Sequence, residues 1–377
     1  MSNWNTWAER ELAGLRAINR YRETVPFDGD GPEGKLRDRR LVSFASNDYL
    51  GLASHPQVKL AAIAAIERFG TGAMASRLIV GTRSLHVELE SLLAEWNLTE
   101  RALVFPSGYA ANLGVLTTLG ETDVTLFSDE LNHASIIDGC RLAKARSLIY
   151  RHLDLQHLQT LLGQTPGRKI VVTESVFSMD GDTAPLPALA QLCSEHGALL
   201  ILDEAHAALG PKLAPTRDLE VLHVGTLSKT LGSLGGFVAG SSRLIELLVN
   251  RARSFIFTTG LSPADTAAAA AAVRICRSQE GDHLRARLRH LIDMIRPGHP
   301  SAIVPIVLGE DAAALAAAAE LRESGIHVPA IRPPTVPKGT ARLRVALSAS
   351  HTEAMVRNLQ AALGKLDFVN SNYAKDA

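Results

Sequence analysis

The sequence predicts an α/β protein, with a large domain on a mostly parallel sheet and a small C-terminal α+β domain. Three observations carry this. Seven short runs between residues 102 and 239 are mostly apolar on both faces, as strands covered by helices are. Helical stretches at 55–68, 85–95 and 186–196 separate some of them. Past residue 244 the pattern changes to helices mixed with a few short strands.

The elements follow in order. Residues 4–21 read as a helix, with Trp7, Leu12, Leu15 and Ile18 at helical spacing. A Gly/Pro/Asp-rich stretch at 26–34 and a short strand at 41–44 complete an N-terminal arm, residues 1–45. The large domain, 46–244, carries strands at 102–105, 124–127, 147–150, 170–173, 199–202, 221–224 and 236–239. The small domain, 245–377, carries helices at 243–253, 263–278 and 312–320, and strands near 303–307, 325–329 and 343–347.

Composition narrows the function. The chain has 377 residues, with Lys+Arg and Asp+Glu both 39, so it lacks the basic excess of a nucleic-acid binder. The three cysteines, Cys140, Cys193 and Cys276, are far apart and form no Cys-x-x-Cys. That spacing fits a reducing cytoplasm better than a disulfide framework or a zinc ribbon. No apolar run approaches the ~18–20 residues that span a bilayer, and the first residues lack a basic-then-apolar signal pattern.

Chemistry-bearing residues recur just past the C-terminal ends of the predicted strands, where open α/β sheets place their ligands. Lys229 lies in Gly225-Thr226-Leu227-Ser228-Lys229-Thr230, after the run 221–224. A lone loop lysine is ordinarily only solvated. Here small residues surround it, so its amine can lie close to a flat ring, and desolvation would lower its pKa and favour nucleophilic chemistry. Asp203 and His206, in Asp203-Glu204-Ala205-His206, end the run 199–202. Asp203 could be a helix cap or a metal ligand, or it could pair with a pyridinium nitrogen. His206 could be structural or could reach a ring oxygen. Together the carboxylate, imidazole and amine are equipment for holding a pyridoxal phosphate (PLP) ring.

Ser107-Gly108-Tyr109 joins a strand to a helix, a junction that offers N–H groups to a phosphate, with the Thr226 hydroxyl as a further donor. Many such junctions are plain turns. His133 and Ser178 follow two other strands. His133 reads either as a core histidine or as a stacking partner for a ring. Arg342 and Arg344 alternate on one strand face, either as surface arginines or to bind a substrate carboxylate. Asp-Glu-Ala-His also matches the name-giving box of a helicase class. That reading needs an upstream Gly-x-x-x-x-Gly-Lys-Ser/Thr, which the chain lacks.

These segments, from Ser46-Asn47-Asp48-Tyr49-Leu50-Gly51 to Arg344, resemble the α-oxoamine synthases, fold-type I PLP enzymes, in order and spacing. Ala330-Ile331-Arg332-Pro333-Pro334-Thr335-Val336-Pro337 resembles the member that condenses L-alanine with a pimeloyl thioester of coenzyme A or acyl-carrier protein. The resemblance implies that Lys229 bonds covalently to the cofactor, that Asp203 pairs with the pyridine nitrogen, and that His206 and Ser178 hold the phenolic oxygen. It implies that His133 stacks on the ring, and that Ser107, Gly108, Tyr109 and Thr226 contact or flank the phosphate. Asn47, Ser76 and Arg344 would position the amino-acid substrate. It further implies a homodimer with sites at the interface, with Thr258 or Thr259 reaching the phosphate bound by the other subunit.

The chain departs from the family at Ala207-Ala208-Leu209, where Gly-Thr-Gly is usual, at Ala73-Met74-Ala75-Ser76 in a glycine-rich loop, and in a shortened stretch from His206 to Lys229. These departures bear on substrate access and acyl-chain preference. The alternatives are another α-oxoamine synthase, using glycine with an acetyl, succinyl or long-chain acyl thioester, or a catalytically silent scaffold subunit.

Overall fold

A computed structural model describes residues 2–209, 213 and 218–366. Contacts divide the chain into two compact units, one of Asn47–Arg289 with Pro300–Ala302, the other of Met1–Ser46, His290–His299 and Ile303–Ala377.

The first of these units holds a seven-stranded sheet. Its strands are Arg101–Phe105 (β1), Val124–Asp129 (β2), Arg146–Tyr150 (β3), Arg168–Glu174 (β4), Ala198–Asp203 (β5), Val221–Thr226 (β6) and Gly236–Gly240 (β7). The spatial order is β1-β7-β6-β5-β4-β2-β3. Strands β3, β2, β4, β5 and β6 pair in parallel, while β7 runs antiparallel between β6 and β1. All seven expected strands are present.

The two-sided apolarity follows from the pleat. Leu126, Ile170, Val172 and Ile201 enter one core cluster, and Phe127, Val171, Leu200 and Leu202 enter another. Alternate residues face opposite sides, so both sides of each strand must be apolar. Each such side chain stabilises the fold by about 1.5–3 kcal/mol on burial.

The tail does not form one continuous module starting at residue 245. The helices Ser242–Arg251 and Pro263–Cys276 lie within the unit of the seven-stranded sheet. The physical reason is the Ala-rich helix Pro263–Cys276, which packs closely on the helices Pro56–Phe69 and Ser84–Trp96 and buries Ala267, Ala268, Ala269 and Ala270. The N-terminal arm instead shares a unit with the tail. Its strand Arg39–Ser43 pairs in parallel with Ile326–His327.

The strand expected at 325–329 is therefore divided. Ile326–His327 joins the sheet of the arm, and Ala330–Ile331 joins Ala341–Ala346 and Ile303–Gly309 in a three-stranded sheet. The first helix, Asn3–Ala17, is capped by the Ser2 side chain and buries none of its residues. Among the described residues no helix is long and apolar enough to cross a membrane.

One polar clasp braces the sheet near its C-terminal edge. His152 bonds Asp129, the last residue of β2, through Nδ1 at 2.9 Å and Asp182 through Nε2 at 2.8 Å. Burial alone would depress the His152 pKa, but the two carboxylates overturn that and raise it to about 10. A raised histidine pKa means that the folded state binds the proton more tightly. The stabilisation is complete below the unfolded value of about 6.5 and is lost as pH rises through about 10. His152→Gln should therefore cost about 2 kcal/mol near pH 6, a figure discounted for the ring's partial exposure. The deficit should shrink toward zero above pH 10 when denaturant melts are compared across pH. A deficit that does not change with pH would contradict the charged clasp.

Candidate active site

The parallel pairing of β4, β5 and β6 brings their C-terminal ends to one edge, and the predicted residues collect there. Asp203 ends β5 and is 5% exposed. Its Oδ2 accepts from Asn112 Nδ2 at 2.7 Å, and its Oδ1 accepts from the Ala205 N–H at 2.9 Å. Asn112 Nδ2 also donates to Ser135 Oγ at 2.9 Å, and Ser135 Oγ lies 2.8 Å from His133 Nδ1. A chain of hydrogen bonds thus links the carboxylate to the histidine. His133 is solvent-accessible. Its pKa lies below the ordinary value because protein crowds its ring and Lys229 is near, against the pull of Asp203 and Asp138.

Lys229 stands in a tight loop after β6. Leu227 N–H donates to Gly235 O, Ser233 N–H to Leu227 O and Gly232 N–H to Lys229 O, each at 2.9 Å. Gly232 has φ +58, and a Cβ there would lie 2.2 Å from the Ala53 nitrogen, so only glycine closes the loop. Lys229 Nζ is 2.7 Å from His206 Nε2, and His206 Nδ1 is 2.6 Å from the Tyr49 hydroxyl. Tyr49 donates in turn to Asn47 Oδ1 at 3.1 Å. With Tyr49 as donor, His206 carries its proton on Nδ1, and Nε2 accepts from the lysine. Amine, imidazole, phenol and amide form one directed relay.

The helix Gly108–Leu119 begins beside β6 and β7. Ser107 caps it, its Oγ accepting from the Ala110 N–H at 3.1 Å. A Cβ on Gly236 would lie 2.5 Å from the Gly108 nitrogen, and one on Gly108 would meet Thr226 Cβ at 3.4 Å. The contact at Gly236 leaves room for glycine only, and the close approach of Gly108 to Thr226 sets the helix N-terminus against the Thr226 hydroxyl. Thr226 Oγ1 is 2.8 Å from Ser228 Oγ and donates to Gly235 O at 3.0 Å. Tyr109 is 43% exposed, and its hydroxyl bonds Asp138. Ser178 is buried past β4.

Ser76 belongs to another segment, where it pairs with Thr259 in an isolated antiparallel bridge. Arg344 lies in the other unit, on Ala341–Ala346. It is 5% exposed and Arg342 is 4% exposed, so neither is the surface arginine that alternation allows. Of the departures, Met74 has φ +68, a conformation glycine adopts freely and methionine rarely does. Ala207, Ala208 and Leu209 line a cavity of about 280 Å³ together with Gly225, Thr226 and Thr230. Of the shortened stretch from His206 to Lys229, residues 210–212 and 214–217 lie outside the described residues.

The predicted set omits Tyr49, Asn112, Ser135 and Glu174. Asn112 had a signal, being a lone amide in an otherwise apolar stretch of helix, Ala110-Ala111-Asn112-Leu113. Tyr49 sits inside a segment already singled out, but its partner is 157 residues away.

A family model described as aminotransferase class I and II matches residues 39–363. An 8-amino-7-oxononanoate synthase from Anaeromyxobacter dehalogenans is 50% identical, over 95% of this chain and 94% of that protein. The solved serine palmitoyltransferase of S. paucimobilis with bound PLP matches with a TM-score of 0.88 at 28% identity, over 99% of each chain. The solved 8-amino-7-oxononanoate synthase of Francisella tularensis matches with a TM-score of 0.72 at 27% identity, over 89% of this chain and 98% of that one. The chain therefore belongs to the class I and II aminotransferase family, on the branch that holds the 8-amino-7-oxononanoate synthases.

Proposed function

We propose that this chain is a PLP-dependent acyltransferase of biotin biosynthesis. It condenses L-alanine with a pimeloyl thioester to give 8-amino-7-oxononanoate, CO2 and a free thiol. The observation that carries this is the convergence of Asp203, His206 and Lys229 on one sheet edge, in a chain 50% identical to a protein of that name.

The residues fit PLP. A buried carboxylate suits the pyridine nitrogen, a helix N-terminus packed on glycine suits the phosphate, and an amine in a rigid loop suits the covalent bond. Asp203 would face the ring nitrogen, His133 a ring face, and His206 with Ser178 the phenolic oxygen. Ser107, Gly108, Tyr109 and Thr226 would hold or flank the phosphate. Asn47, Ser76 and Arg344 keep the substrate-positioning role that the resemblance assigns.

Bound there, PLP supplies a sink for the electrons left at the alanine α-carbon. Lys229 Nζ is the base that takes the α-proton. His206 accepts from Nζ and so holds the amine in one direction. His133 hydrogen-bonds the thioester oxygen as negative charge develops on it. The new bond joins the α-carbon to the acyl carbon, and the thiolate leaves and is protonated. The alanine carboxyl departs as CO2, and a returned proton completes the product.

The purified protein should take up PLP and show a visible absorbance band that Lys229→Ala abolishes, with turnover falling on the order of 10³-fold. A Lys229→Ala protein that keeps the band would remove the lysine from its role. Alanine with a pimeloyl thioester should outperform glycine, serine, and acetyl, succinyl or palmitoyl donors. The likeness to serine palmitoyltransferase makes the long-chain donor the informative competitor, and its preference would overturn the substrate assignment.

The functional unit is a homodimer. Met74, Ile79, Val80 and Phe257 are each at least 60% exposed. The Ser76–Thr259 bridge and the Gly260 N–H bond to Ala75 O draw their segments together. Such an apolar surface suits a second copy of the chain. Sedimentation should give twice the 40.4 kDa chain mass, and Ile79→Asp with Phe257→Asp should give an inactive monomer. A fully active wild-type monomer would contradict this.

A further inference from the structure

Nothing in the proposed chemistry uses the polar chain behind His133. It begins with Asn112 in the helix Gly108–Leu119, passes to Ser135 in the helix Ala134–Leu142, and ends on His133, the N-cap of that second helix. Glycine lets the two helices come close, since a Cβ on Gly139 would lie 2.6 Å from Leu116 Cδ1. Asn112 and Ser135 are each 1% exposed.

The donors in this chain fix where the proton of His133 sits. The Ser135 peptide N–H can only donate, and it meets His133 Nδ1 at 3.2 Å. Nδ1 is therefore an acceptor and carries no proton. The Ser135 hydroxyl, 2.8 Å from the same nitrogen, is then a second donor to it. Its oxygen in turn accepts from Asn112 Nδ2 at 2.9 Å. The Asn112 amide is itself fixed in direction, because turning it over would set its oxygen against the Asp203 carboxylate, which lies 2.7 Å from Nδ2. With Nδ1 as acceptor the ring is uncharged and its proton is on Nε2.

Neither capping nor packing requires this arrangement. The Ser135 N–H bond alone caps the helix, without the hydroxyl or the amide. An apolar side chain would fill the core at Asn112, whereas the amide leaves Oδ1 buried without a partner, which costs stability.

We propose that Ser135 and Asn112 are positioning residues that hold His133 in the tautomer with its proton on Nε2, so that the histidine offers a hydrogen-bond donor to the carbonyl oxygen of the acyl donor. The inference rests on the role proposed above for His133. An imidazole with its proton on Nδ1 would present a lone pair to that oxygen and repel the negative charge developing there.

Nitrogen NMR of histidine-labelled protein without PLP reads the tautomer directly, with the His133 signals identified by their loss in His133→Gln. Wild type should show a protonated Nε2 and a bare Nδ1, and a protonated Nδ1 would overturn the proposal. Ser135→Ala keeps the peptide donor and removes the hydroxyl. Its His133 should populate both tautomers. Its kcat for alanine with pimeloyl-CoA should fall about tenfold, the worth of one hydrogen bond, while the KM for alanine stays within about twofold. Ser135→Thr restores the hydroxyl and should recover the single tautomer, with kcat within about threefold of wild type. Asn112→Ala should show the same loss and, because Asp203 also loses a donor, bind PLP on the order of tenfold more weakly.

Ser135→Ala removes one oxygen only, and it carries the comparison if the Asn112 variant does not fold. A Ser135→Ala protein with the wild-type tautomer and kcat would contradict the proposal, and so would a Ser135→Thr protein as slow as Ser135→Ala. Failure of wild type to bind PLP would instead sink the function reading, and the tautomer read without PLP would still stand.

Discussion

A carboxyl group at the end of a buried strand must be held or neutralised, and this site meets that requirement twice. Asp203 and Glu174 occupy opposite positions on neighbouring parallel strands. Asp203 is held by the Asn112 amide and the Ala205 N–H. Glu174 is pushed toward its neutral form by burial and by Asp203 itself. The two side chains are chemically alike, yet their surroundings hold them differently.

The lysine depends on backbone rigidity more than on any single contact. Three peptide hydrogen bonds close the loop around it, and a glycine at positive φ makes the closure possible. The His206–Tyr49–Asn47 relay then orients the amine from outside that loop. Fixed backbone and a directed hydrogen-bond chain together hold the amine in one place, so little ordering is left for the proposed proton transfer.

Much of this was legible in the sequence. The seven strands were, because a strand covered on both sides must be apolar at successive positions. Lys229, Asp203 and His206 were, because strand ends in an open α/β sheet are where ligands bind. The division into units was not. Alanine repeats in the helix Pro263–Cys276 do not say which neighbour they pack on, and the short strands Ile326–His327 and Ala330–Ile331 carry too few residues to reveal their different sheets. Arg342 and Arg344 show the same limit, since alternation places them on one face without saying whether that face is buried.

By itself, then, the sequence determined the sheet, the order of its strands along the chain, and the residues that follow their ends. Those follow from local hydrophobic period and from turn chemistry, which neighbours in sequence share. Only the tertiary structure decided how those residues are coupled. Tyr49 meets His206 across 157 residues, and Asn112 meets Asp203 across 91. Glu174 looks like any strand-end acid until β5 sets Asp203 beside it. Strand register and burial set that pairing, and neither has a local trace in the chain.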